Sequence, residues 1–301
     1  MRASGIRLVL VFAAAFLSLN GLASAQEISK AQRASIHRFA ANNSLFVLYH
    51  EIGHMLVHQL NLPVLGREED AADNMATWTL LRKNTPEADQ ALADAAYGWL
   101  LSGLAYNSEI DDEDLYGNHS LDRQRAFQIV CLMVGSNDTA FRPIANQYAI
   151  DRDRQDTCAD DYYTVNRSLE GLLGSRGSKN GGGSEVTVTY HDAGSGLKSA
   201  ADAFRASGVF DEVAEDVRTH YSISTPLQFN AQRCGEANAF YDPSTDEVIF
   251  CYELMQDFMD LYMADMPEDE IAVEPRATGT GKSKNAPTST GTTVSQKNIG
   301  N

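Results

Sequence analysis

One apolar stretch, Asn43–Asn61, constrains the fold more than any other part of the chain, because it carries the pentapeptide His50-Glu51-Ile52-Gly53-His54. Its run of large apolar residues, which contains no proline, predicts a mostly buried helix. Side chains four residues apart on a helix point the same way, about one turn from each other. Burying two imidazoles and a carboxylate is costly unless something compensates for them. A shared metal ion supplies that compensation; the alternative is an exposed polar stripe on an amphipathic helix.

The spacing of the histidines indicates how such a site would be built. His50 and His54 have the spacing of a zinc-ligand pair, and Glu51 beside them is placed to act as a general base. His58 continues the four-residue spacing, but it lies roughly 12 Å from His50 along the helix axis. Because zinc–nitrogen bonds are about 2.0–2.1 Å, one ion cannot easily bind both. The third ligand is therefore expected elsewhere, and Glu69 is the stronger candidate.

Glu69 lies in a second stretch with helical character, Arg67–Leu81, which follows the turn-rich connection Asn61–Gly66. An antiparallel second helix would return its first turns to the level of His54, where Glu69 could ligate the metal. Asp73 shares the face of Glu69 one turn later. It could accept the other ring N–H of a ligating histidine and fix the orientation of that ring.

The other acidic residues at the start of the second helix have a simpler explanation. Glu68 and Asp70 are expected to point into solvent, since acidic side chains interact favourably with the start of a helix. The same preference is the alternative explanation for Glu69 and Asp73. The upstream pair of histidines favours the metal site over that alternative.

The segment HEIGHMLVHQLNLPVLGREEDAADNMATWTLL, with its HExxH and ExxxD motifs, resembles the core of the gluzincins, whose third zinc ligand is a glutamate on a following helix. More closely, it resembles a bacterial family known only as "putative metallopeptidases" of uncharacterised function. The segments NHSLDRQRAFQIVCLMVGS and CGEANAFYDPSTDEVIFCYEL and the cysteine at 158 are similar to that family too. The resemblance covers most of residues 36–262. It implies an α+β fold: a mainly helical zincin-like metallopeptidase domain with a small antiparallel sheet or hairpin.

The expected activity is zinc-dependent hydrolysis of a peptide or protein substrate, with the ion held by His50, His54 and Glu69. Glu51 would take a proton from the attacking water and return it to the leaving amine. Two other classes stay open. One is a non-catalytic periplasmic binding or assembly protein that contains zinc, against which the intact Glu51 argues. The other is a zinc amidase acting on cell-wall peptides, which the sequence does not separate from a protease.

His119 is the candidate for a second catalytic group, because a histidine beside a zinc site can stabilise the oxyanion that forms when water attacks a carbonyl. Asp122, three residues later, could orient its ring. The alternative is a turn in which Asn118 or Ser120 caps the following helix. The weaker candidates for the catalytic role are Tyr106 and Tyr116.

A β-hairpin is predicted near the C-terminus, formed by Ala237–Tyr241, the turn Asp242–Thr245 and Glu247–Cys251. An exposed sheet edge can pair with the backbone of an extended peptide, and this sequence is similar to the edge strand of thermolysin-like enzymes. The residues expected to bind substrate in this way are Asn238, Ala239 and Phe240. The alternative is an ordinary hairpin stapled by a disulfide.

The first 25 residues are expected to form a secretory signal peptide. Arg2 and Arg7 give a positive start, Leu8–Leu17 is a short apolar stretch, and Ala23-Ser24-Ala25 is a small-residue cleavage site. The apolar stretch is shorter than the roughly 20 residues of a membrane-spanning helix. The chain is therefore expected to be exported, periplasmic or secreted, with no stable membrane anchor after cleavage.

The four cysteines are expected to form disulfides, because an even number of cysteines in an exported chain favours them. Three pairings are possible. The sequence-local one, Cys131–Cys158 with Cys234–Cys251, is favoured. A zinc site built from all four cysteines is the alternative, but the sequence contains no CxxC pair.

Composition predicts the organisation of the chain and limits its partners. The expected segments are a signal peptide (1–25), a helical HExxH part (26–173), a flexible linker (174–184), an α+β part whose hairpin packs on the same domain (185–266) and a disordered tail (267–301). The formal net charge of −17 repels phosphate backbones, which argues against nucleic acid as a partner and disfavours anionic membrane surfaces.

Overall fold

The computed structural model describes residues 28–106, 110, 112–174 and 183–266. Within these ranges the helices are α1 (Lys30–Gln59), α2 (Glu68–Lys83), α3 (Pro86–Ala105), α4 (Asp112–Tyr116), α5 (Asp122–Ser136), α6 (Asp138–Gln147), α7 (Arg152–Leu173), α8 (Lys198–Ser207), α9 (Val209–His220) and α10 (Tyr252–Asp265). The strands are β1 (Val186–Tyr190), β2 (Leu227–Gln232), β3 (Ala239–Asp242) and β4 (Glu247–Cys251). The expected signal peptide, the tail and most of the linker lie outside the described residues.

Helix α1 is the central element and is longer than the apolar stretch alone predicts. It begins at Lys30 because Ser29 and Gln32 form a capping box: the Gln32 N–H donates to Ser29 Oγ, and the Ser29 N–H donates to Gln32 Oε1. Phe39, Phe46 and Met55 are fully buried along its length. The helix packs against α2, α3, α8, α9 and α10, and against strands β3 and β4.

The four-stranded sheet is mixed and has the order β1-β2-β4-β3. β1 pairs with β2 and β2 with β4 in parallel, whereas β3 and β4 form the predicted antiparallel hairpin. The sequence did not predict β2 or the parallel pairs. A parallel pair needs a long crossover connection, which α8 and α9 provide between β1 and β2. The result is an α+β fold, mainly helical with a small mixed sheet.

The sheet part and the helical part pack together through α1. α8, α9, α10 and β3 all contact that helix, and an aromatic cluster that includes Phe204, Phe210 and Phe250 fills the space beneath the sheet. The hairpin is thereby brought to the same helix that carries the HExxH motif. Among the described residues, no helix has the length and apolar character needed to cross a bilayer.

All four cysteines are paired. The disulfides are Cys131–Cys158, which joins α5 to α7, and Cys234–Cys251, which joins the segment before β3 to the end of β4. These are the sequence-local pairings. Because no cysteine is free, a four-cysteine zinc site is ruled out for this structure.

Candidate metal centre

Three of the side chains singled out by the sequence converge on one point. His50 Nε2 lies 3.1 Å from Glu69 Oε2, His54 Nε2 lies 3.2 Å from the same oxygen, and the two ring nitrogens are 3.1 Å apart. Ligand atoms arranged tetrahedrally around zinc at about 2.0–2.1 Å are separated by roughly 3.3 Å. The donor set of two imidazoles and one carboxylate, with this spacing, therefore fits a zinc ion.

A close approach of α1 and α2 creates this convergence. His50 faces Asp73 and His54 faces Glu68, so residue numbers rise along α1 as they fall along α2, and the two helices are antiparallel. At Gly53 the helices nearly touch: a Cβ added there would lie 2.9 Å from the Cα of Ala72. Glycine in the middle of the HExxH motif is thus required by packing.

A buried carboxylate orients the first histidine. His50 Nδ1 donates to Asp73 Oδ1 at 2.7 Å, and Arg125 donates to Asp73 through Nε at 2.7 Å and Nη2 at 2.8 Å. Burial favours the neutral carboxyl, but Arg125 and His50 outweigh it and hold the pKa of Asp73 below its ordinary value. Asp73 is where the ExxxD spacing predicted it. Sequence reasoning did not identify Arg125 as the partner of Asp73. A charged residue on the same buried face of α5 as Ile129 could have indicated a buried ion pair.

A second carboxylate orients the other histidine, which corrects one expectation. Glu68 was expected to point into solvent, but its Oε1 lies 2.8 Å from His54 Nδ1 while the side chain stays half-exposed. Asp70 is likewise not simply solvated, because it accepts a hydrogen bond from Ser120 Oγ at 2.7 Å. The first turn of α2 is acidic because its side chains have partners, and the charge preference of helix starts is only part of the reason.

The carboxylates around the two histidines favour positive charge in the cluster. Asp73 Oδ1 lies 2.7 Å from His50 Nδ1 and Glu68 Oε1 lies 2.8 Å from His54 Nδ1, so each ring can hold a proton on Nδ1 while its Nε2 faces Glu69. Burial opposes protonation of His50, but its bonds to Asp73 and Glu69 raise its pKa to about 9. Burial likewise opposes the charged form of Glu69, but the surrounding histidines lower its pKa. Protons and a divalent ion would therefore compete for the same atoms of this cluster.

Glu51 is buried beside the cluster, and the hairpin contacts it. Its Oε2 accepts the backbone N–H of Tyr241 at 2.9 Å. Burial raises the pKa of Glu51, while nearby His50 and His54 and the bond from Tyr241 oppose that rise. A carboxyl group with a raised pKa is suited to taking and returning a proton. The sequence indicated Glu51, but a backbone N–H from 190 residues away leaves no sequence signal.

His119 also lies at the site, in contact with the carboxylate proposed as third ligand. Its Nε2 is 2.8 Å from Glu69 Oε2, and 55% of its side chain is exposed. Arg67 Nη1 donates to its backbone oxygen at 3.1 Å. Asp122 does not orient it, because that carboxylate accepts from Ser102 Oγ at 2.6 Å.

The alternative role for the turn around His119 is also corrected. The N-cap residue of α5 is Leu121, and its N–H donates to Gln124 Oε1. Ser120 and Asn118 therefore do not cap this helix. Of the weaker catalytic candidates, Tyr106 donates to Asp257 at 2.7 Å and Tyr116 is mostly exposed.

The predicted substrate edge lies next to Glu51. β3 is an edge strand, and Cys251 N–H donates to Asn238 O, so the backbone groups of Ala239 and Tyr241 face away from β4. The Ala239 N–H donates to Asn238 Oδ1 at 2.9 Å, and Phe240 pairs with Ile249 inside the hairpin.

His58 lies outside the three-residue cluster and belongs to a contact that fastens the hairpin to α1. Its Nδ1 is 3.1 Å from the hydroxyl of Tyr241. That hydroxyl also accepts from Gln59 Nε2 at 2.9 Å and donates to Asp246 Oδ1 at 3.0 Å. These contacts keep the β3 edge at the end of α1.

Comparison with known proteins places most of the chain in one family. Residues 16–173 and 190–284 match a protein family described as "Putative metallopeptidase". No curated protein and no solved structure matches the chain.

Proposed function

The chain belongs to this metallopeptidase family, and we propose that it is a zinc-dependent hydrolase that cleaves peptide bonds with Glu51 as general base. The observation that carries the proposal is the meeting of His50 Nε2, His54 Nε2 and Glu69 Oε2 within 3.2 Å of one another, with both Nδ1 atoms held by carboxylates. Three acceptor atoms in this arrangement need a shared cation.

Zinc is the metal that this donor set favours. Two histidines and a glutamate are the ligands of one class of catalytic zinc sites, and imidazole suits zinc better than magnesium or calcium. When bound by these ligands, zinc would polarise a peptide carbonyl and lower the pKa of water.

The residues of the chain would carry the proton transfers. Glu51 accepts the proton of the attacking water and delivers it to the leaving amine. The Tyr241 N–H fixes the carboxylate of Glu51, so the oxygen that stays free is the one placed to act. His119 would turn from Glu69 to donate to the oxyanion, and its exposure leaves room for that rotation.

The substrate would be a peptide or protein segment in extended form. The two outward N–H groups of β3 already donate to Asn238 and Glu51, so an extended backbone would add to this edge by donating to the outward carbonyl groups of Ala239 and Tyr241. We also propose that the chain is exported, with which its two disulfides are compatible.

The test compares wild-type protein with Glu51→Gln on a panel of fluorogenic peptides and cell-wall peptides. Wild type is expected to contain zinc, to lose activity with a chelator and to regain it with zinc. Glu51→Gln should keep zinc while kcat/KM falls by about 10²–10⁴. Glu170→Gln, an exposed change on α7, is the matched control and should behave as wild type.

Three outcomes would overturn the proposal. Wild-type turnover by Glu51→Gln would remove Glu51 from the mechanism. Zinc-loaded wild type that cleaves none of these substrates would favour a non-catalytic binding protein, whereas activity on cell-wall amides alone would make the enzyme an amidase.

A further inference from the structure

Arg125 is a buried cation that touches the metal site only through another side chain. Only 7% of the residue is exposed, and its guanidinium holds both oxygens of Asp73, at 2.7 and 2.8 Å. Its central carbon lies 3.5 Å from the centroid of the Trp99 ring. The guanidinium is therefore fixed on two sides, by a carboxylate in its plane and by an aromatic ring against it.

We propose that Arg125 is a positioning residue for the metal site, which fixes the ring of His50 by clamping Asp73. The inference rests on the proposed metal site. Asp73 Oδ1 accepts from both Arg125 and His50, so the plane that Arg125 imposes on the carboxylate determines the direction in which His50 Nδ1 can donate. Nε2 of the same ring then points at Glu69 without rotational freedom.

This chain of contacts, from Trp99 through Arg125 and Asp73 to His50, links four helices to one ligand atom. Trp99 belongs to α3, Arg125 to α5, Asp73 to α2 and His50 to α1. The other histidine has a weaker support, because Glu68, the carboxylate on His54, is 47% exposed. The orientation of His50 is thus fixed by residues in the core of the fold, whereas the orientation of His54 is fixed by a partly exposed residue at the surface.

The contact with Asp73 requires the planar guanidinium group of an arginine. Two parallel N–H donors fix a carboxylate plane and stack on an aromatic ring, whereas the ammonium of lysine is a point charge that fixes neither. Arg125→Lys therefore separates two roles. It keeps a positive charge beside Asp73, which is enough for simple charge neutralisation, and it removes the geometric clamp.

The experiment measures zinc affinity by competition with a chelator in Arg125→Lys, Asp73→Asn, and the double variant Asp73→Asn with Arg125→Met. Arg125→Lys should weaken zinc binding by about 10–100-fold, the effect typical of losing a partner that orients a ligand. The double variant should bind zinc as weakly as Asp73→Asn alone, since Arg125 acts through Asp73. It also leaves no unpaired buried charge, so it should fold even where the loss of one partner alone prevents folding. Arg123→Met, an exposed change in the first turn of α5, is the matched control and should keep wild-type affinity.

A second readout separates this inference from the proposed function. In metal-free protein labelled with ¹⁵N-histidine, the Nδ1 proton of His50 should be protected from exchange in wild type and lose that protection in Arg125→Lys. Neither measurement uses peptide cleavage, so an inactive protein would overturn the proposed function and leave this inference standing. Wild-type zinc affinity and wild-type Nδ1 protection in Arg125→Lys would refute it, as would a double variant that binds zinc much more weakly than Asp73→Asn alone.

Discussion

The close approach of α1 and α2 at Gly53 makes a sharp prediction about a single methyl group. In Gly53→Ala the new carbon would lie 2.9 Å from the Cα and 3.1 Å from the Cβ of Ala72. Carbon atoms in contact prefer about 3.5–4.0 Å. Since the nearest atom belongs to the backbone of α2, no side-chain rotation relieves the clash, and the two helices must separate by roughly 0.5–1 Å.

That separation has a cost in both stability and metal binding. Overpacking of this kind costs about 1–3 kcal/mol, and the better helix propensity of alanine returns about 0.5–1 kcal/mol. The free energy of unfolding should therefore fall by about 1 kcal/mol. Glu69 sits on α2 and the two histidines on α1, so separation pulls the carboxylate from nitrogens that are 3.1 and 3.2 Å away. Zinc affinity should fall by about tenfold or more, comparable to losing a partner that orients a ligand.

Urea unfolding of the metal-free protein and chelator competition measure the two effects separately. Gly171→Ala on α7 is the matched control, because nothing lies within 4 Å of a Cβ built there. It should gain about 0.5–1 kcal/mol from helix propensity and leave zinc affinity unchanged. If Gly53→Ala were as stable as Gly171→Ala and bound zinc like wild type, the packing argument for this glycine would be refuted.

Two further comparisons of variants test the ligand set and the hairpin. Glu69→Ala should lower zinc affinity by more than about 100-fold, which is more than the loss of a residue that only orients a ligand would cause. His58→Ala should change zinc affinity little. If metal analysis shows the larger effect for His58→Ala, the third ligand is misassigned. Tyr241→Phe removes the hydroxyl whose hydrogen bonds hold β3 against α1, so KM for peptides should rise about tenfold with zinc affinity unchanged. The exposed change Tyr163→Phe on α7 is the control. Equal kinetics in the two variants would contradict a role for the hairpin in substrate binding.

The parts of the fold that the sequence predicted are those whose partners are close in the chain. The HExxH spacing, the ExxxD spacing and the β3–β4 hairpin each depend on a helical or strand period over a few residues. The two disulfides span 27 and 17 residues, and the local pairing was favoured for that reason. The position of Glu69 beside the two histidines could be predicted because Glu69 follows His54 after one short connection, which limits where the second helix can go.

The parts that were missed depend on how distant elements meet. β2 lies between β1 and β4 only because α8 and α9 return the chain in parallel, and a parallel partner is not encoded in the strand itself. Glu68 was assigned to solvent because helix starts favour acidic residues in general, and only the geometry of α1 and α2 directs it to His54.

A charged residue on the buried face of a helix is different, because it does leave a signal in the sequence. Arg125 lies with Ile129 and Leu132 on the apolar side of α5, and a buried cation requires a buried anion. Asp73 was the acid near the motif that was expected to accept a hydrogen bond from a ligating histidine. The burial of Arg125 can therefore be predicted from the sequence, whereas the choice of Asp73 over the other buried acids Glu51 and Asp94 depends on how α2 and α5 meet.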